Sequence, residues 1–217
     1  MKVGRPVKDI SIKKGDDIQK IFDEMSKSGG FESRNLVQGL DILSAMINDK
    51  TCLKFLSFVA AITSTGLRGI IKDMIKNKMF DVVITTCGAL DHDIARFFSN
   101  YLEGSFTLDD SELADKHIHR LGNVLVPMQS YGPIIEEKMQ TFLEKEYKSG
   151  KKEMSTAEIT RMIGKNLGEG SFLYWAYKNN IPVIVPGIMD GAVGSQIWLF
   201  TQKHSDFKLN VAVDSDL

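Results

Sequence analysis

Residues 52–96, CLKFLSFVAAITSTGLRGIIKDMIKNKMFDVVITTCGALDHDIAR, alternate apolar runs with small polar turns in an order that leaves few ways to fold. The run 53–62 stops at Thr63-Ser64-Thr65-Gly66, and Leu67, Ile70, Ile71, Met74 and Ile75 then recur at helical spacing. A second run, Val82-Val83-Ile84, is too short and too continuously apolar for a surface strand. It ends in Thr85-Thr86-Cys87-Gly88-Ala89, just before Asp91-His92-Asp93. Strand, turn, helix, strand, turn, helix is a βαβ unit, so both turns are expected at the carboxyl edge of one parallel sheet, where such sheets bind ligands.

Each turn sits at a helix N-terminus, where unpaired N–H groups and the helix dipole favour an anion such as a cofactor phosphate. Small residues let that group come close. Either turn alone is equally an ordinary helix cap, since Ser and Thr are common there; two neighbouring turns of this composition point to a shared crevice. A third turn repeats the logic: Pro182-Val183-Ile184-Val185-Pro186 reads as a short buried strand, and Gly187 to Gln196, with Asp190-Gly191, leads into an apolar helix over 197–200. Asp190 could accept hydrogen bonds from ribose hydroxyls, or it could simply close an Asx-turn. The Gly-x-Gly-x-x-Gly fingerprint of many dinucleotide sites is absent from the chain.

Composition narrows the class. The 217 residues suffice for one well-buried α/β domain, and 27 basic against 28 acidic side chains give no charge suited to nucleic acid. Cys52 and Cys87 are too few for a disulfide framework and too far apart for a zinc site, so no metal is expected and a reducing, cytoplasmic setting is. No run approaches the roughly 18 apolar residues of a membrane span. The start, Met1-Lys2-Val3-Gly4-Arg5-Pro6, is followed by charge rather than by the apolar core of a leader.

Along the rest of the chain, residues 1–15 read as an arm, with Val3, Val7, Ile10 and Ile12 to bury, and residues 16–217 as a single domain. Asp16-Asp17 opens a helix carrying Ile18, Ile21, Phe22 and Met25, ended by Gly29-Gly30. Ser33 is a plausible N-cap for a second, with Leu36, Leu40, Leu43 and Ile47 facing the core. Most of 99–121 reads as loop around a short acidic helix, 123–127 as extended, and 131–147 as a helix. A capping box, Ser155 with Glu158, starts the next helix, and residues 171–178 form another. The fold class is α/β, Rossmann-like, a mostly parallel sheet with helices on both faces.

The stretches 81–96 (DVVITTCGALDHDIAR), 174–200 (YWAYKNNIPVIVPGIMDGAVGSQIWLF) and, more loosely, 61–71 (AITSTGLRGII) resemble deoxyhypusine synthases, with a spelling like the archaeal branch. The similarity runs over nearly the whole chain. The resemblance implies an NAD-dependent enzyme that oxidises spermidine, carries its aminobutyl part as an imine on an enzyme lysine, and passes it to a lysine of a translation initiation factor. It implies that Ser64, Thr65, Gly66, Thr86, Cys87 and Gly88 line the cofactor, that Asp190 holds part of the nucleoside, and that the assembly is a homotetramer.

The sequence also departs from that pattern. Many eukaryotic members have two glutamates where this chain has Asp91 and His92, and an acid where it has Ser195, so polyamine recognition is expected to fall on Asp91, His92 or Asp93. No Gly-Gly-Gly-x-x-Lys-His segment occurs, and Lys203-His204 lacks the glycines, so Lys203 reads as a helix-end cation. The chain is thus expected to be the N-terminal portion of a longer family fold, or else a naturally short, catalytically silent member that binds NAD or supports a complete partner subunit. A homospermidine-forming aminobutyltransferase and a generic NAD-dependent oxidoreductase are the remaining alternatives.

Overall fold

The computed structural model describes residues 4–216; Met1, Lys2 and Val3 of the expected arm, and Leu217, lie outside the described residues. The chain gathers into two compact units, one ending at Leu53 and one beginning at Lys54.

In the first unit, helix α1 (Ile18–Ser28) starts because Asp17 turns extended and its Oδ1 accepts the Lys20 N–H at 2.8 Å. It stops at Gly29, whose φ of 71° suits a residue without Cβ. Glu24 is buried and draws together Lys20, Lys27 and the backbone N–H of Ser11 in the arm. Helix α2 (Ser33–Asn48) departs from expectation: Ser33 is its first helical residue, not its cap. Its buried residue is Val37, whereas Leu36, Leu40 and Leu43, expected in the core, are exposed.

The second unit runs β1 (Phe55–Phe58), α3 (Leu67–Lys76), β2 (Val82–Thr85), α4 (Cys87–Phe98), β3 (Leu102–Glu103), α5 (Asp110–Asp115), β4 (Ile118–Leu121), β5 (Val124–Pro127) and α6 (Gly132–Lys148). It continues with β6 (Glu153–Met154), α7 (Thr156–Asn166), α8 (Phe172–Asn179), β7 (Val183–Ile184), α9 (Ala192–Lys203) and β8 (Lys208–Leu209). Strands β1, β2 and β7 form one parallel sheet in that order, with Ser57 opposite Ile84 and Ile84 opposite Ile184. These are the three strands expected from the sequence, the first and third shorter than their apolar runs. The apolar run 53–62 is a strand only to Phe58, and Ala60–Ser64 coils into a 3-10 segment.

The parallel sheet is small and is not the whole of the strand structure. Three small sheets appear, of which β3-β5-β4 is antiparallel and β6-β8 a short parallel pair. The stretch 99–121, expected as mostly loop around a short acidic helix, supplies that helix as α5 and, beyond expectation, β3 and β4; Gly122-Asn123 makes a two-residue turn between the paired Leu121 and Val124. Gly122 takes a φ of 64°, the positive value such hairpin turns need. The fold is therefore α/β, built mainly of helices around a small parallel sheet.

Val83 at the centre of that sheet is fully buried, as are Ile75 of α3 and Leu90 and Ile94 of α4. Ile135, Met139 and Leu143 of α6, Ile159 and Ile163 of α7, Phe172 and Phe200 complete the core. Each such side chain contributes on the order of 1.5–3 kcal/mol by burial. The capping box forms as expected, with Ser155 N–H on Glu158 Oε2 at 2.9 Å and Glu158 N–H on Ser155 Oγ at 3.2 Å. Asp214 adds to it by accepting the N–H groups of Thr156 and Ala157 at 2.9 and 3.1 Å. No helix among the described residues is long and apolar enough to cross a membrane.

Candidate functional site

Since β1, β2 and β7 are mutually parallel, the three turns that follow them lie at one edge of the sheet. Neighbouring turns touch. Ala60 N–H donates to Thr86 Oγ1 at 3.0 Å and Thr85 Oγ1 donates to the Phe58 carbonyl at 2.8 Å, joining the first turn to the second. Two glycines make the approach possible. A Cβ on Gly88 would lie 2.9 Å from Ala60 Cβ, and one on Gly191 would lie 2.6 Å from Asp91 Oδ2 and 2.8 Å from Cys87 Sγ. A third turn thus rests directly on the start of α4.

Within the first turn the hydroxyls point back along the chain. Thr63, Ser64 and Thr65 each donate to the carbonyl three residues earlier, at 2.7 Å. Ser64 is buried, Thr65 half-buried and Gly66 exposed at the mouth of α3. In the second turn Thr86 is exposed, Gly88 half-buried and Cys87 fully buried as the first residue of α4. Burial, then the charge of Asp91, pushes the Cys87 thiol up to about 12, so it remains protonated and 3.9 Å from Asp91 Oδ1. The side chains of Ser64 and Cys87 point into the protein. In the third turn Asp190 is exposed, folded over Gly187, and among the described residues its carboxylate has no hydrogen-bond or ion-pair partner.

The two carboxylates of the acidic cluster on α4 point into the protein. Asp91 is 1% exposed and accepts the N–H groups of Ala192 and Val193 at 2.9 and 2.8 Å, capping α9 from another helix. Tyr131 Oη donates to it at 2.7 Å. Burial raises the pKa of Asp91, while the N–H of Val193, the Tyr131 hydroxyl and the N–H of Ala192 pull it back. Asp93 is 0% exposed and takes Arg68 Nε at 2.7 Å, Ser171 Oγ at 2.6 Å and the N–H groups of Phe172 and Leu173 at 3.4 and 3.1 Å. It caps α8 and pairs a buried guanidinium. Asp91 and Asp93, expected from the sequence to meet a polyamine, thus have their oxygens engaged by partners within the protein.

His92, between them, is half-buried, with Nδ1 3.0 Å from Tyr101 Oη and its ring 5.7 Å from the rings of Tyr101 and Tyr131. Burial, then the charge of Arg96, lowers it to about 4, so it is neutral at pH 7. Burial likewise raises the pKa of both tyrosines. Sequence reasoning missed Arg68, Arg96, Tyr131 and Ser171. Arg96, one helical turn after His92, carried a faint periodic signal; Tyr131 and Ser171 lie 40 and 78 residues from the aspartates they bind and carried none. Lys203 is the exposed last residue of α9. No group of three or more His, Cys, Asp or Glu among the described residues could hold a metal ion.

Three strand-to-helix turns thus meet at one edge of the parallel sheet of an α/β protein. The deoxyhypusine synthase family model matches residues 20–217. Over 213 residues the chain is 48% identical to a "Probable deoxyhypusine synthase" of Thermoplasma acidophilum, covering 98% of this chain and 68% of that protein. It is 49% identical over 210 residues to a protein of the same name from Picrophilus torridus, covering 96% and 67%. A candidate deoxyhypusine synthase from Entamoeba histolytica, solved by crystallography, shares the fold with a TM-score of 0.67 at 20% identity, over 94% of this chain and 70% of that one. The chain belongs to the deoxyhypusine synthase family, a family of transferases, and spans about two thirds of the length of these relatives.

Proposed function

We propose that this chain forms the NAD-binding part of a deoxyhypusine synthase, the cytoplasmic enzyme that moves the aminobutyl group of spermidine to a lysine of a translation initiation factor. The observation that carries the reading is the meeting of the three turns, with two glycines at the points of closest approach and an uncommitted carboxylate, Asp190, at the rim. When bound, NAD would supply the hydride acceptor for amine oxidation. Gly66 and Gly88, at the mouths of α3 and α4, would present backbone to its phosphates, with Thr65 and Thr86 beside them. Asp190 would accept hydrogen bonds from ribose hydroxyls. Ser64 and Cys87 stand behind this surface, and Asp91 and Asp93 hold its helices in place. His92, neutral among tyrosines, is the residue of the acidic cluster left near a polyamine.

The domain reading belongs to the same proposal: an arm over 1–15 and residues 16–217 as the N-terminal portion of a longer, Rossmann-like family fold that assembles as a homotetramer. A second reading is a silent member that binds NAD or supports a complete partner subunit. One experiment separates them from an active chain. The purified protein is titrated with NAD, then incubated with NAD and labelled spermidine, and imines are trapped with borohydride. NAD binding without label on protein is expected. Label on any lysine would show that the 217 residues carry their own nucleophile, and absence of NAD binding would remove the crevice reading itself.

A further inference from the structure

We infer that Arg96 is a positioning residue that sets the first turn of the crevice against helix α4, an assignment that rests on the cofactor reading above. Its Nη1 donates to the carbonyl of Thr63 at 3.0 Å and also to that of Thr65, spanning the end of the 3-10 segment and the bend before α3. Carbonyls at the end of a helical segment have no partner within it. The Arg96 guanidinium supplies one at Thr63 and, at Thr65, adds to the Arg68 N–H 3.2 Å away, with charge-assisted bonds about twice as strong as neutral ones.

The geometry explains why an arginine serves here. Hydrogen bonds near the strand ends join the first turn to the second, Ala60 N–H on Thr86 Oγ1 and Thr85 Oγ1 on the Phe58 carbonyl. Past Ala60 the chain coils into the 3-10 segment, and Arg96, about two and a half turns along α4 from Cys87, reaches the end of that segment. The guanidinium is itself held: its carbon lies 5.8 Å from the centre of the Tyr101 ring, whose hydroxyl is engaged by His92 Nδ1. The groups facing it are therefore Tyr101, His92, the two turn carbonyls, and Arg68, which is neutralised by Asp93. With the hydroxyls of Thr63, Ser64 and Thr65 all bonded backwards, the orientation of Thr65-Gly66 depends on what grips its carbonyls. A turn released at Thr63 and Thr65 would keep its sequence and lose its aim.

The test uses the 217-residue chain with R96M and R96K, and R120M as a control on the exposed Asp110 pair. Amide exchange over residues 60–70 is measured without ligand, NAD affinity by titration, and folding by thermal melting. In R96M, exchange over 60–70 should rise about tenfold and NAD affinity fall about tenfold, while R96K lies between and R120M matches wild type. Should R96M not fold, R96K carries the test, because it keeps the charge and most of the packing. Unchanged exchange, or faster exchange with unchanged NAD affinity, overturns the assignment of Arg96. A wild-type chain that does not bind NAD overturns the cofactor reading, and that failure is visible before any variant is measured.

Discussion

The start of α4 and the turn before α9 lie against each other, yet they treat their carboxylates in opposite ways. Asp91 and Asp93 are shut away from water and used up, one on the N-terminus of α9 and the other on that of α8 and on Arg68. Asp190, whose neighbour Gly191 packs on Asp91, remains in solvent without a partner among the described residues. The same residue type at one sheet edge is thus structural where it finds N–H groups to close, and open to a ligand where it does not. Burial of an ionised group is tolerated only with such compensation. The carboxylates that look most like a substrate site in the sequence are the ones holding the site together.

The comparison is most exposed to failure at Asp93. Asp93→Ala would leave Arg68 buried beside an empty space and the N–H groups of Phe172 and Leu173 without their acceptor, a loss of about 3–5 kcal/mol. Denaturant unfolding should register it, and a loss below about 1 kcal/mol would show that Asp93 is not the structural partner its contacts describe.

Next in size is a pH effect on the residue between the two aspartates. His92 sits at about 4 in the folded protein against an ordinary 6.5, so the unfolded chain gains a proton that the folded one refuses. Stability is complete above pH 6.5 and falls as the pH drops toward 4, by up to about 3 kcal/mol. Asp91 slopes the other way. Its raised folded pKa favours the neutral acid, so its contribution is present below the ordinary carboxylate value of 3.8 and lost as the pH climbs through the folded value. The difference in melting temperature between wild type and H92Q, followed from pH 7.5 to 4.5, isolates the histidine. A flat difference would mean that His92 titrates as a solvated residue.

The contact between the two turns should respond to a single methyl group. Gly191→Ala places a Cβ 2.6 Å from Asp91 Oδ2 and 2.8 Å from Cys87 Sγ, and relieving that overlap costs about 1–3 kcal/mol. Both turns must separate for it to fit, so NAD affinity should fall as well. An alanine variant as stable as wild type would mean the turns are not packed as closely as they stand here.

What the sequence conveyed follows the reach of each interaction. The strand cores at 55–58, 82–85 and 183–184, the capping box at Ser155 and the three turns are local patterns, decided by residues within one or two helical turns of each other. The inward use of Asp91 depends on N–H groups 101 and 102 residues away, and that of Asp93 on Ser171, 78 residues away, which no spacing rule brings together. The hairpin at Gly122-Asn123 was legible but faint, since only Val126 of β5 is buried and the alternation on β4 is half-buried at best. In α2 the leucine periodicity was real, but the buried position proved to be Val37, one residue along from Leu36.

The smallest expected effect on stability is the most informative about function. Asp190→Ala removes a carboxylate that is exposed, caps no helix and pairs with no cation among the described residues, so unfolding should change by no more than about 0.5 kcal/mol, as for a plain surface site. If that carboxylate accepts ribose hydroxyls, the same change weakens NAD binding by about 1–3 kcal/mol, the scale for losing a charged hydrogen-bond partner. Asp190→Asn keeps the shape and one acceptor and should fall between the two. Isothermal titration of the three proteins with NAD reads affinity, and melting curves on the same samples read the fold. An Asp190→Ala chain that loses about 1 kcal/mol of stability and no affinity would make Asp190 a cap like Asp91, and the contrast between the two turns would collapse into one structural role. Loss of affinity at unchanged stability separates them, because a residue that holds nothing in the free protein can weaken binding only by touching the ligand.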